Sequence, residues 1–333
     1  MAISLVVGLV TVSLVYLAGT SLQTHDVEIW NGSVTSKERD TVSCSHSYDC
    51  RCRNETSCTG SGKNRSCTTS RVCDTCYEHD HDYDWVVHSD IGKFLINRVD
   101  DQGVTQPSRW TQARVGDPVS KTHNFTNYVK AVPESLFHAN VTNKFDGIIP
   151  TYPNQIYDYY KLSRLLLVGV SVPDASEWNR DIALLLRKLG PLKQANVIVV
   201  MVNTADQSYV HALEGRWIGG KKNDIIVILG VTSYPKIDWV AISSWTDKAL
   251  FKIQLRDAIL DIGTVDRSQI IAAIDTHTMR SFKRKEMADF EYLSYQIQPP
   301  LWVLVLAVVL SMGTSLGVSW YMVKHTSKYR RVR

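Results

Sequence analysis

Apolar residues run unbroken near both ends of the chain. Residues 2–22 (AISLVVGLVTVSLVYLAGTSL) and 301–323 (LWVLVLAVVLSMGTSLGVSWYMV) hold no charged side chain. A helix rises about 1.5 Å per residue, so roughly 20 such residues cross a bilayer core. The second run begins after Pro299 and Pro300 and carries Trp302 at one edge and Trp320 and Tyr321 at the other. Aromatic rings prefer the headgroup level, so residues 301–323 are predicted as a transmembrane helix. Residues 1–22 read as an anchor or a cleaved signal. They lack a basic n-region, and Tyr16 or Leu17 stands where a cleavage site wants a small residue. Both readings place residues 24–298 on one non-cytoplasmic side.

Between the ends the pattern changes twice. Residues 27–150 hold short β-rich runs such as VEIW, TVSCS, DWVVHS, KFLINRV and HNFTNYVKAV, separated by turn residues. Residues 155–293 alternate strands with helices. RLLLVGVSV, NVIVVMVNT, DIIVILGV and DWVAISSW read as strands, the second continuous enough to be buried on both faces. Asp174 and Glu177 have capping-box spacing, with Trp178, Ile182, Leu185, Leu186 and Leu189 on one helical face and Gly190-Pro191 as its stop. Asp206 to Trp217 reads as a second helix, and two or three more are expected between Asp247 and Leu293. The predicted fold is α+β and membrane-anchored. A small Cys-rich β domain precedes a three-layer α/β domain with right-handed βαβ crossovers, then the transmembrane helix and a basic cytoplasmic tail at 324–333.

Charge bears on orientation. The formal net charge is +4, and the tail KHTSKYRRVR carries +5 of it, leaving −1 for the rest. Basic residues stay cytoplasmic, so the tail points inward and the bilayer is the expected first partner. Nothing here calls for a nucleic-acid-binding face. Five N-x-S/T sequons fall at Asn31, Asn54, Asn64, Asn124 and Asn140. In a eukaryotic secretory pathway they would be glycosylated and surface-exposed.

All seven cysteines (Cys44, Cys50, Cys52, Cys58, Cys67, Cys73 and Cys76) lie in one polar, glycine-rich stretch. Such density in an exported segment points to disulfides, since little there can pack. Zinc is the alternative, with Cys73 and Cys76 joined by Cys50 and Cys52, or with His46, His79 or His81 substituting. The stretch YEHDHDYD after Cys76 suits a solvated turn into DWVVHS. Asp80, Asp82 and Asp84 alternate, but no Gly or distal Glu completes a calcium loop.

The segment ANVIVVMVNTADQSYVHALEGRWIGGKKNDIIVILGV resembles the TPM domain: a buried strand, a helix ending near a W-G-I-G-x-K-G-x-D-N-G-like loop, then an aliphatic strand. The resemblance covers residues 155–293, and a membrane helix follows directly, as is common in that family. VSCSHSYDCRC and CDTCYEHDHDYDW are similar to stretches of uncharacterised membrane-anchored proteins of tailed bacteriophages. The TPM resemblance implies either a metal-dependent phosphatase or an accessory subunit of a membrane complex. Asp206, Asp224 and Asp247 are the divalent-cation candidates it allows. Asp224 stands where the family tends toward Asn-Gly, and AISSWTDKAL lacks the family's glycines. Asp206 and Asp247 also suit helix starts.

Other groups read as structural. The Gly219-Gly220-Lys221-Lys222 loop leads into a strand, so it lacks the helix N-terminus a phosphate cradle needs. His211 and His277 read as packed or solvated. Within the last apolar run, Gly313 and Gly317 form GxxxG, while Ser311, Ser315 and Ser319 recur every fourth residue. Both spacings let helices approach closely in lipid, for self-association or a partner helix. The expected function is an exoplasmic envelope protein, phage-encoded or bacterial, acting through protein–protein interaction. A periplasmic TPM-type phosphatase and a glycosylated eukaryotic type I surface protein are the alternatives.

Overall fold

The computed structural model describes residues 2–59, 66–99, 106–132, 143–156 and 162–330. In chain order the elements are α1 (Ala2–Thr24), β1 (His25–Thr59), β2 (Ser66–Ser89), β3 (Gly92–Val99), α2 (Ser108–Gln112), β4 (Pro118–Thr126) and α3 (Tyr128–Ala131). There follow β5 (Leu165–Val168), α4 (Ala175–Lys193), β6 (Asn196–Val202), α5 (Tyr209–Trp217), β7 (Asp224–Gly230), β8 (Trp239–Ser244), α6 (Ala249–Ile262), α7 (Arg267–Ser281) and α8 (Leu301–Arg330). The chain divides into two compact units, residues 33–117 and residues 1–32 with 118–333. These units divide the chain elsewhere than the boundary expected near 150. The start of β1, with β4, belongs to the α/β unit because Ile29, Glu28 and Asn31 are buried within it.

In the smaller unit β1 and β2 form one long antiparallel hairpin, and β3 pairs with β2. The expected run of short strands, and the solvated turn after Cys76, are instead parts of these continuous strands. What holds so polar a ladder is covalent. Cys50–Cys76, Cys52–Cys73 and Cys58–Cys67 are disulfides across the hairpin. A bulge between Cys50 and Arg53, with Arg51 at φ 48°, accommodates two bridges close together. Trp85 and Val87 supply the apolar part of this unit, and Trp110 meets Trp85 edge-on at 4.8 Å.

In the larger unit the strand order is β5-β6-β7-β8, with the first three parallel and β8 antiparallel. Odd-numbered residues of β6 and β7 face α4, α6 and α7, and even-numbered ones face α5. This is the expected three-layer α/β arrangement. Trp178, Ile182, Leu186 and Leu189 of α4 are at most 1% exposed. Burial contributes roughly 1.5–3 kcal/mol for each such side chain, far more than helix propensity supplies.

The crossovers do not share one hand. β5, β6 and β7 step the same way across the sheet, yet α4 and α5 cover opposite faces. On an upward strand, an L-residue whose side chain points at the viewer aims its N–H to the right. Val199 faces α4 and donates to Arg164 O at 2.8 Å. Seen from α4, β5 thus lies right of β6, so the chain crosses leftward and β5-α4-β6 is left-handed, against the usual rule. The C-terminal turn of α4 is fixed on this face by β1. A Cβ on Gly190 would stand 2.0 Å from the Asn31 carbonyl oxygen. The expected stop at Gly190-Pro191 also fails. The helix continues to Lys193, with Pro191 in its last turn, and closes with Gln194 in the left-handed region.

Helices α1 and α8 are each long and apolar enough to cross a membrane. They pack antiparallel. Ser4 Oγ donates to Ser315 O at 2.8 Å, Ser315 Oγ to Ser4 O at 3.1 Å, Ser319 Oγ to Ser4 Oγ at 3.0 Å and Ser311 Oγ to Gly8 O at 3.2 Å. At the other end Gly19 lies against Val303 and Pro299. The serine row makes this seam. Of the two spacings expected to pack, the serines are in the seam, while Gly313 and Gly317 have nothing within 4 Å of where a Cβ would be.

Gly190→Ala sets two effects against each other. Helix propensity favours alanine by about 1 kcal/mol, while the backbone of Asn31 blocks the new methyl. The clash should win, costing roughly 1–3 kcal/mol and lowering the melting temperature of the full chain in detergent. Gly147→Ala, where no atom lies within 4 Å, should leave it unchanged.

Candidate functional site

The residues singled out for metal or catalysis do not converge. Cys50, Cys52, Cys73 and Cys76 are paired as disulfides, so none of these four offers a thiolate to zinc. The side chains of Cys44, His46, His79 and His81 lie outside the described residues. Asp206 follows β6 and pairs with Lys144, and its carboxylate also accepts from Ser208 N at 2.9 Å. These contacts hold its pKa down at about 2. Asp247 pairs with Lys283 at 3.0 Å. Asp224 opens β7, fully buried. Among the described residues no three His, Cys, Asp or Glu side chains are grouped to hold a metal ion.

Asp224 instead belongs to a buried polar cluster at the N-terminal ends of β6 and β7. Its carboxylate accepts from Lys221 N at 2.7 Å, Tyr152 OH at 2.8 Å and Asn196 Nδ2 at 2.9 Å. Gly220, at φ 80°, makes the first of these possible. A Cβ there would stand 2.9 Å from the Asp224 carboxylate. Lys221 then reaches Asp26 of β1 at 2.5 Å, and Asn127 donates to the same carboxylate at 2.7 Å. Next along β1, Glu28 is wholly buried. Trp30 Nε1 donates to it at 2.8 Å, His123 Nδ1 lies at 3.3 Å, Arg284 at 3.6 Å and Lys222 at 3.7 Å. The ring of His123 stacks on Trp30 at 3.7 Å. The two lysines of the glycine loop are thus counter-ions for β1.

Arg164, just before β5, is buried without a carboxylate. Its guanidinium donates to Asn31 Oδ1, Ser120 Oγ and Leu162 O, and burial lowers its pKa to about 10, so it stays charged at neutral pH. Asn31 also donates to Asn196 Oδ1 at 3.2 Å and is 3% exposed. That corrects the sequon expectation at one position, because a glycan has no room there. Sequence reasoning missed this cluster. Its one visible signal was two acids, Asp26 and Glu28, spaced to share a strand face directly after an apolar helix.

A second site lies along the β8 border of the sheet. A groove of about 630 Å³ runs along β8 between α5 and α6, a size within the range of binding clefts (~300–1,000 Å³). Its floor is Trp239 to Ile242. Val210 and His211 form one wall, and Ile253, Arg256 and Leu260 form the other. His211 is exposed and lies 3.7 Å from Glu214. Asp238, at one end, accepts from Thr232 N and Oγ1, which hold its pKa low. The groove sets the apolar side chains of Val210, Ile253 and Leu260 beside the polar ones of His211, Asp238, Lys252 and Arg256.

No protein-family profile, curated protein or solved structure matches this chain.

The buried cluster makes stability depend on pH in two separate windows. Burial pushes the Asp224 carboxyl up to about 6, against hydrogen bonds from Asn196, Lys221 and Tyr152. The folded chain then binds more protons than the unfolded one between about pH 4 and 6, so stability falls as pH rises through that range. Asp26 behaves oppositely. Burial raises its pKa, but the Lys221 charge and the hydrogen bonds it accepts outweigh this and hold it below 3.8. Its contribution is lost only as pH falls below about 4. Urea unfolding of the full chain in detergent should show a decline of roughly 1–3 kcal/mol from pH 4 to 6.5, and Asp224→Asn should flatten it.

Proposed function

We propose that this chain is a membrane-anchored exoplasmic protein of a phage or bacterial envelope that works through protein–protein contact. Both apolar helices span the bilayer as an antiparallel pair, and residues 24–298 lie outside with the basic tail inside. The α/β unit is TPM-like and serves as a binding module. The observation that carries this reading is the open groove beside β8, together with carboxylates that are each occupied elsewhere. Three disulfides suit an oxidising compartment. The buried Asn31 leaves no room for a glycan at that one sequon.

Two measurements test this. Protease added to intact cells should cut the exoplasmic part and spare an epitope placed after Arg333, and the reverse pattern would end the proposal. Purified full chain with an aryl phosphate and Mg²⁺, Ca²⁺ or Zn²⁺ should turn over no faster than Asp224→Ala. Metal-dependent turnover abolished by that substitution would install the phosphatase reading instead.

A further inference from the structure

We propose that the groove beside β8 is a homodimer interface, in which β8 pairs antiparallel with β8 of a second copy. This deepens the binding-module reading and rests on it. Among the described residues β8 is an edge strand, paired with β7 alone. Every second residue of such a strand turns its N–H and C=O outward, a template for another strand. Proteins blunt such edges by shortness, Pro, Lys or inward charge. The opposite edge, β5, is only four residues long. β8 is six residues, WVAISS, with neither charge nor proline.

Helix α6 is apolar on two sides. Phe251, Leu255 and Ile259 are fully buried in the core, while Leu250, Ile253 and Leu260 are 61%, 46% and 39% exposed. Ile253 and Leu260 face the groove. Between them sit Arg256 and, next to it, Asp257, 2.7 Å apart. A two-fold axis that pairs β8 with its copy also sets α6 against its copy, running the other way. Where the helices cross near their middles, Arg256 of each meets Asp257 of the other, and the apolar residues on either side cover one another. The uncharged strand meets no like charge when paired with itself. Anchoring in one membrane raises the effective concentration of copies without any new contact.

The test uses the full chain in nanodiscs and in dilute detergent, with molecular mass read by mass photometry. The expected result is a dimer. Ile253→Glu with Leu260→Glu, at exposed positions that spare the fold, should weaken it at least about tenfold. Arg256→Asp should weaken it by about tenfold, and adding Asp257→Arg should restore it, since the reversed pair still matches across the axis. Gly313→Leu with Gly317→Leu should leave the dimer intact. A chain that stays monomeric, or a dimer that survives the α6 substitutions and is lost with the glycine pair, overturns the proposal. So does a monomer whose groove instead takes a foreign extended peptide. Protease mapping of the same preparations keeps the two readings separate: a monomer of correct topology sinks only the pairing.

Discussion

Two carboxylates, Asp26 and Glu28, follow the apolar helix α1 on β1 and enter the interior of the α/β unit. Burying an unmatched carboxylate costs several kcal/mol, so the segment can occupy that place only if cations are already there. The Gly219–Lys222 loop supplies two of them. Its positive-φ glycines turn the chain so that Lys221 meets Asp26 and Lys222 approaches Glu28. Arg284, far along the chain, completes the surroundings of Glu28. Asn31 then ties the same strand to Arg164, Ser120 and Asn196. Removing one partner of such a set typically costs about 3–5 kcal/mol, because the remaining charge stays buried. The matched set therefore acts more as a specification of where β1 lies than as a source of stability.

That constraint orders the rest of the larger unit. With β1 in place, Gly190 is the only kind of residue that fits beneath Asn31, and α4 is held on its face of the sheet. The left-handed β5-α4-β6 crossover follows from that placement. α5, free of the contact, takes the opposite face by the ordinary right-handed route. The sheet is thus closed in at the β6 and β7 starts, where charge is matched, while the groove along β8 is walled by the partly exposed Ile253 and Leu260 of α6.

Much of this was legible in the residues, and the misses share a cause. Continuous aliphatic runs marked β6 and β7, and the 3.6-residue spacing of Trp178, Ile182 and Leu189 marked α4, because those patterns report burial locally. Length and lack of charge marked α1 and α8. What periodicity could not show was pairing across long sequence distances. Asp26 with Lys221 and Glu28 with Arg284 are invisible to a local window, so the glycine loop read as a TPM-like loop and a failed phosphate cradle, not as a source of counter-ions. The long hairpin was missed because its strands are polar and its cohesion lies in cross-strand bridges. Two small-residue spacings were visible in the last apolar run, and the serine row, able to hydrogen-bond to the α1 backbone as well as pack, is the one that makes the helix seam.

The central claim is that residues 26–31 are an integral strand of the α/β unit, locked by buried charge. Native-state hydrogen exchange of the full chain in detergent, read at single residues, tests it most directly. The account expects the amides of Val27 to Asn31 to exchange only with the unfolding that exposes Val197 to Val202, at the same rate and with the same denaturant dependence. Exchange of Val27 to Asn31 by local fraying, while the β6 amides stay protected, would contradict it.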